Sequence, residues 1–251
     1  MHKSRLRLVI CLSGILVSTG PNWVRGQGEV SLHWPRSPKQ APGVELTLEE
    51  VARKPGTRGT QIVYQIKSSG FPRDKTYRLQ TSSLSSPKAA EWVTAIEASG
   101  TGALAVGRVK DQPIDLSKFT LAIENYNRGE FFMIEAVSED GALYARDRVH
   151  PFPIESRDGD CHVWAELVTE DKRNFAITGI GFGPDTDVRI SSFEEGAKHS
   201  QQATQRVDSD GAFTAGAVHR GRGGAATFVA AGDSCKVTLQ YEFGRQAKGP
   251  L

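Results

Sequence analysis

Two stretches about 111 residues apart are built to one plan. In the first, Ile66 leads into Gly70-Phe71-Pro72, and Tyr77 and Leu79 follow. In the second, Ile177 leads into Gly181-Phe182-Gly183-Pro184, and Val188 and Ile190 follow. Each stretch is an alternating run, a Gly-Phe corner, a proline turn and a second alternating run. Glycine supplies backbone angles that other residues avoid, and proline fixes φ and removes a ladder donor, so together they stop a strand and redirect it. A unit that recurs at a fixed interval is one supersecondary structure built twice. The expectation is two similar β-domains in tandem.

The remaining pattern supports strands throughout. Val44, Leu46 and Leu48 alternate with polar residues, as do Ile62, Tyr64 and Ile66, and Phe119, Leu121 and Ile123. Such period-two patterning marks half-buried strands. Phe131 to Val137 and Leu143 to Val149 flank Glu139-Asp140-Gly141, a hairpin-type turn. Glu91–Ala98 is ambiguous, because Trp92, Val93 and Ile96 fit a helical face while Val93 and Ala95 fit a strand. Pro151-Phe152-Pro153 and the polar residues up to Asp160 read as an interdomain joint. Beyond it, Cys161, Val163, Ala165 and Leu167 share one face, with His162, Trp164 and Glu166 on the other. The last strand runs from Cys235 through Val237, Leu239 and Tyr241 to Phe243. Domain 1 is placed at residues 44–155 and domain 2 at 156–251, with a flexible lead-in over 27–43. Short strands with turn signals about every 8–12 residues suit a β-sandwich.

The N-terminus reads as an export signal. Lys3, Arg5 and Arg7 precede an apolar run from Leu8 to Val17, too short to span a bilayer. Cleavage is expected after Gly26, giving a signal peptide of residues 1–26; a cut after Gly20 is disfavoured by Pro21, and an uncleaved anchor is the alternative. Removal takes away Lys3, Arg5, Arg7 and Arg25 and no acid, so the formal charge of +2 turns slightly negative. A near-neutral surface argues against a general nucleic-acid binder. No later segment approaches the length of a membrane helix. Cys11 leaves with the signal, and Cys161 and Cys235 remain. In an oxidising compartment they are expected to pair, with two buried thiols as the alternative. The bridge would close a loop of about 74 residues, for which the chain-entropy model gives about 4 kcal/mol. Both share parity with inward neighbours, Val163 and Val237, which puts the bridge against the core of domain 2.

At the second corner, the run from Ile177 through Gly181-Phe182-Gly183-Pro184 to Ile190 resembles the opening of bacterial immunoglobulin-like domains of the IPT/TIG kind. The turn from Asp208 to Phe213 is similar to a later hairpin in those domains, and Ser69 to Pro72 is a weaker version of the corner. The resemblance covers roughly 160–244 and, more loosely, 44–155. It implies an all-β chain of two tandem immunoglobulin-like β-sandwich domains after a cleavable signal peptide. It also implies a spacer, an adhesion module or a glycan-contacting appendage, and carries no activity onto particular residues.

A search for chemistry finds little. The chain has no Gly-x-Ser-x-Gly elbow, and His33, His150, His162, His199 and His219 show no metal-ligand pairing. Asp208-Ser209-Asp210-Gly211 starts like a calcium loop, but no Glu follows where the bidentate ligand belongs. The basic, glycine-rich run His219 to Gly224 precedes a strand rather than the helix a phosphate cradle needs. Glu194 and Glu195 are adjacent and read as solvated charges. Trp92, Trp164 and Tyr241 are candidates for sugar stacking, with Trp164 expected outward; core or interdomain packing is the favoured alternative for them. The leading expectation is an exported, non-enzymatic binding or structural module, periplasmic, cell-surface or secreted, with a protein or glycan partner and no cofactor. The alternatives are a carbohydrate-binding module using Trp164 or Trp92, and a hydrolase with Asp158, Asp160 and His162 at the domain joint.

Overall fold

The computed structural model describes residues 42–57, 59–109, 112–197, 200–245 and 247. The expected signal peptide and most of the lead-in, with His33 and His199, lie outside them. Four antiparallel sheets account for the described chain, and a 3-10 turn at Leu116–Lys118 is its one helical element. The first sheet has the order β1 (Glu45–Gly56), β2 (Gly59–Ser69), β7 (Thr120–Glu124). The second has the order β6 (Gln112–Asp115), β5 (Leu104–Val109), β4 (Ala90–Ala98), β3 (Thr76–Ser83), β8 (Phe132–Ser138), β9 (Tyr144–Val149). The third runs β10 (Ile154–Asp158), β11 (Cys161–Leu167), β12 (Asn174–Ile180), β15 (Phe213–Val218). The fourth runs β14 (Gln201–Arg206), β13 (Asp187–Glu194), β16 (Gly223–Ala231), β17 (Lys236–Gly244).

Alternation decides which side of each strand is buried. In β8 and β17 every second residue is sealed, because successive side chains point to opposite faces. The first two sheets close over one core, containing Leu46, Ile62, Ile66, Leu79, Ile96 and Ile134. The other two close over a second, containing Val163, Ile177, Val188, Phe228, Val237 and Leu239. Pairing is the same in both halves. The strand before the corner (β2, β12) pairs with its predecessor (β1, β11) and with a later strand (β7, β15). The strand after the corner (β3, β13) pairs with its successor (β4, β14) and with β8 or β16. Each Gly-Phe corner therefore carries the chain from one sheet to the sheet that faces it across the core.

The corner works by backbone freedom and a plug. Gly70 and Gly181 have φ of 73° and 81°. A Cβ on Gly70 would collide with the carbonyl of Gly43, and one on Gly181 with the carbonyl of Asp160. Phe71 and Phe182 are each only 2% exposed. Their N–H groups donate to the carbonyls of Gly102 (3.0 Å) and Gly211 (3.2 Å). Pro72 adds a further tie, since its carbonyl accepts the Tyr77 hydroxyl at 2.9 Å. Pro184 opens the matching turn, in which Asp185 has positive φ.

Three sequence readings change in detail. Glu91–Ala98 belongs to a strand, β4. Tyr77 pairs with Ile96 and Leu79 with Val93, so β4 carries an extra residue, and Ala95 takes φ of 55°. This bulge puts Val93 and Ile96 on one side three residues apart, which is why the segment mimics a helix. The stretch Pro151–Asp160 contains a strand, β10, which pairs with β11. The chain leaves the first core at Phe152 and enters the second at Ile154. Cys161 therefore begins the second strand of its half. Its Sγ is bonded to Cys235, just ahead of β17, with the Cα atoms 6.4 Å apart. The bridge crosslinks two facing sheets, with Cys161 in the core and Cys235 packed against it. The described residues of both cores belong to one compact unit.

The corner glycines give a graded expectation. Gly70→Ala and Gly181→Ala should each cost about 2–4 kcal/mol in urea denaturation, combining left-handed φ with a backbone clash. Gly141→Ala is the control, since it shares positive φ but has open space at its Cβ. It should cost only about 1 kcal/mol. Equal losses at all three would show that φ alone matters.

Candidate functional site

The outward row of β11 is the part of the surface richest in recognition chemistry. Strand pairing sets its neighbours. Glu155 of β10, Trp164 of β11, Thr178 of β12 and Thr214 of β15 lie opposite one another across the sheet. One step along, Arg157, His162 and Ile180 form a second row. On the other side, Glu166, Ala176 and Gly216 form a third. His162 Nε2 lies 2.7 Å from Glu155 Oε2, and the imidazole sits 5.2 Å from the Trp164 ring, centroid to centroid. Trp164 is thus outward and half-buried, its ring steadied by a neighbour that a carboxylate holds. Trp92 is 40% exposed on β4, in the other half of the chain. The two tryptophans lie on different sheets.

Tyr241 is not a stacking residue. It is 3% exposed and its hydroxyl lies 3.0 Å from His219 Nε2. His219 Nδ1 lies 3.1 Å from Glu194 Oε1, and the imidazole stacks on Phe243 at 4.3 Å. Glu194 is accordingly a partly exposed carboxylate tied to a buried imidazole, while Glu195 beside it is exposed. A carboxylate only accepts, so the N–H of neutral His219 is at Nδ1 and Nε2 accepts from Tyr241. Burial lowers the His219 pKa against the opposing pull of Glu194. Burial also raises the Tyr241 phenol well above its ordinary range. Carboxylate, imidazole and phenol resemble a proton relay, but His219 and Tyr241 are sealed from solvent. The set ties β13, the segment after β15 and β17 together across the core. In sequence these residues are 25 and 22 positions apart and carry no motif.

A second buried polar set joins the halves. Glu166 is 8% exposed and accepts from the Arg148 guanidinium, and His150 Nε2 lies 3.2 Å from its other oxygen. Arg148 also covers the Phe131 ring at 4.2 Å, a cation–π arrangement. Burial lowers the Arg148 pKa and Glu166 opposes that shift. Gly129 completes the joint. Its N–H donates to Phe152 O and its carbonyl accepts from Leu167 N at 2.8 and 2.9 Å. With φ of 75°, it leaves an added Cβ only 3.0 Å from Ala165 O and Ile154 Cδ1. Glu130, 1% exposed, accepts from Ser85 N and Oγ and from Asn127 N and Nδ2. That fixes the segment whose Leu84 packs on the second core.

The remaining sequence candidates are separated. Asp158 accepts from Lys236 N at 2.8 Å, whereas His162 is engaged by Glu155, so Asp158, Asp160 and His162 form no joint constellation. Asp208 Oδ1 accepts from Asp210 N (3.0 Å) and Ala212 N (2.8 Å), the turn-forming use of an aspartate. The run from His219 leads directly into β16. Arg128, Phe193, Thr227, Gln240 and Glu242 border an open concavity of about 460 Å³ on the outer face of β13, β16 and β17.

No family model matches the chain, and no curated protein does. Solved structures similar to it include a tetra-tandem repeat from the extending region of a large adhesion protein, at 11% identity and TM-score 0.26 over 82% of this chain and 49% of that one. Another is the FN1–FN3 domains of chicken CNTN1, at 12% identity and TM-score 0.22 over 78% and 64%. The chain spans about half the length of the first and under two thirds of the second.

Both polar sets can be tested. Glu166→Ala removes the partner of Arg148 and His150 together. It should cost about 2 kcal/mol and speed proteolysis near Pro151–Pro153. For His219, the folded pKa lies below the ordinary value of 6.5. The unfolded chain then binds more protons over that interval, so stability is complete above about pH 6.5 and is lost as pH falls below it. Melting temperatures from pH 7.5 to 5 should decline, and His219→Gln should flatten the decline.

Proposed function

We propose that this chain is an exported, non-enzymatic module that binds or bridges partners in the cell envelope or outside the cell. In this reading residues 1–26 are a cleaved signal peptide. The two sandwiches are tandem immunoglobulin-like domains, with their boundary at Pro153 rather than 155/156. The observation that carries it is the joint. The buried Glu166 carboxylate and the partly exposed Arg148 guanidinium are used to hold one sandwich against the other, as a spacer or adhesion module needs. The Cys161–Cys235 bridge supports an oxidising compartment. The resemblance of the Gly181-Phe182-Gly183-Pro184 corner to IPT/TIG domains supports the same role. The partner is a protein or a glycan at the cell surface. The mature chain uses no cofactor, binds no nucleic acid and does not span the membrane; no helix among the described residues is long and apolar enough to cross one.

The decisive experiment isolates the mature protein from its native host after in-cell crosslinking. An N-terminus at Gln27, both cysteines oxidised in the non-reduced protein, and a defined envelope or extracellular partner are expected. Retention of Met1 in a cytosolic fraction with free thiols would overturn the export reading.

A further inference from the structure

We propose that the outer face of the β10–β11–β12–β15 sheet is a glycan-binding platform for a neutral oligosaccharide, with Trp164 as its stacking residue. This rests on the reading of the chain as a surface-binding module and names the ligand class.

Strand register fixes the geometry. Glu155, Trp164, Thr178 and Thr214 line up across four strands. In that row a carboxylate, an indole and two hydroxyls stand side by side at the strand spacing of about 4.8 Å. An aromatic face covers the C–H side of a sugar ring, and the flanking oxygens meet its hydroxyls. Preorganisation is the second element. His162 is bonded to Glu155 and packs on Trp164, so the indole gives up little conformational entropy on binding.

The third element is a bare strip beside the row. Ala176 of β12 and Gly216 of β15 are paired and face outward, next to Thr178 and Thr214. Glycine in a strand interior weakens the strand and often marks close approach of a ligand. Nothing lies within 4 Å of where a Gly216 Cβ would stand, so no packing inside the protein demands glycine there. Exposed Val218 lies beyond this strip, two positions along β15. The result is a trough floored by Ala176 and Gly216 and walled by the Trp164–Thr178–Thr214 row. Charge selects among sugars. Glu155 and Arg157 offset one another on the face, and Glu166 is occupied by Arg148. The platform therefore suits a neutral chain over a uronate or sulfated one.

The test titrates the full mature chain by calorimetry and by NMR. The probes are hexasaccharides of β-1,4-linked glucose, β-1,4-linked N-acetylglucosamine and α-1,4-linked glucose. At least one should bind, and Trp164→Ala should weaken it by about tenfold or more. Gly216→Val is the sharper variant, because valine favours strands and its side chain fills the trough without touching the core. It should abolish binding while the melting temperature stays level or rises. Binding that survives both substitutions, or no binding to any of the three probes, overturns the platform. In the latter case a crosslinked protein partner would leave the module reading standing. A shortened hexasaccharide would instead overturn the non-enzymatic reading itself.

Discussion

A Gly-Phe corner sits at the point in each half where the chain must leave one sheet and join the facing one. The glycine has no room for a Cβ, because the carbonyl of Gly43 or Asp160 occupies that space, and its φ is in the left-handed region where other residues are strained. The following phenylalanine then points inward and fills the space between the sheets. Sheet pairing on both sides depends on this crossing. If it shifted by one residue, every side chain on the next strand would exchange core for solvent. The repetition of the corner therefore implies the repetition of the sandwich.

Buried polar groups have a common use in this molecule. Glu130 receives four donors from Ser85 and Asn127. Glu166 holds Arg148 and His150, and His219 bridges Glu194 and Tyr241. A buried charge without partners is costly, so each set specifies one arrangement of the segments that supply it. Two of these sets lie where the halves meet, and the third closes the second core beside β17. The outer face of β11 divides between the two uses: Glu166 at one end holds Arg148 and His150, while at the other end Trp164 stands half-buried and its contact with His162 steadies a surface ring.

Strand content was readable because alternation in segments such as Cys235 to Phe243 is regular and the corners are marked by Gly, Phe and Pro. The disulfide was readable by elimination of Cys11 and by parity with Val163 and Val237. Segment 91–98 was not, since a bulge at Ala95 breaks the period on which strand recognition rests. β10 was missed because its five residues, Ile154–Asp158, hold one buried apolar side chain and are flanked by turn residues. Trp164 could be placed outward from its parity alone. Its neighbours Thr178 and Thr214 could not be named, because they come from strands whose register no local pattern sets.

What the sequence determined by itself is the kind of object: an all-β chain with a repeated Gly-Phe corner and one cysteine pair fit to bond, because periodicity, turn chemistry and cysteine arithmetic are local properties. What only the tertiary structure decided is which distant polar residues meet. Glu194 finds His219 and Tyr241, Glu166 finds Arg148, and Trp164 stands beside Thr178 and Thr214. These partnerships follow from strand order and register, which are set by the packing of whole sheets and leave no mark at the separate positions that take part.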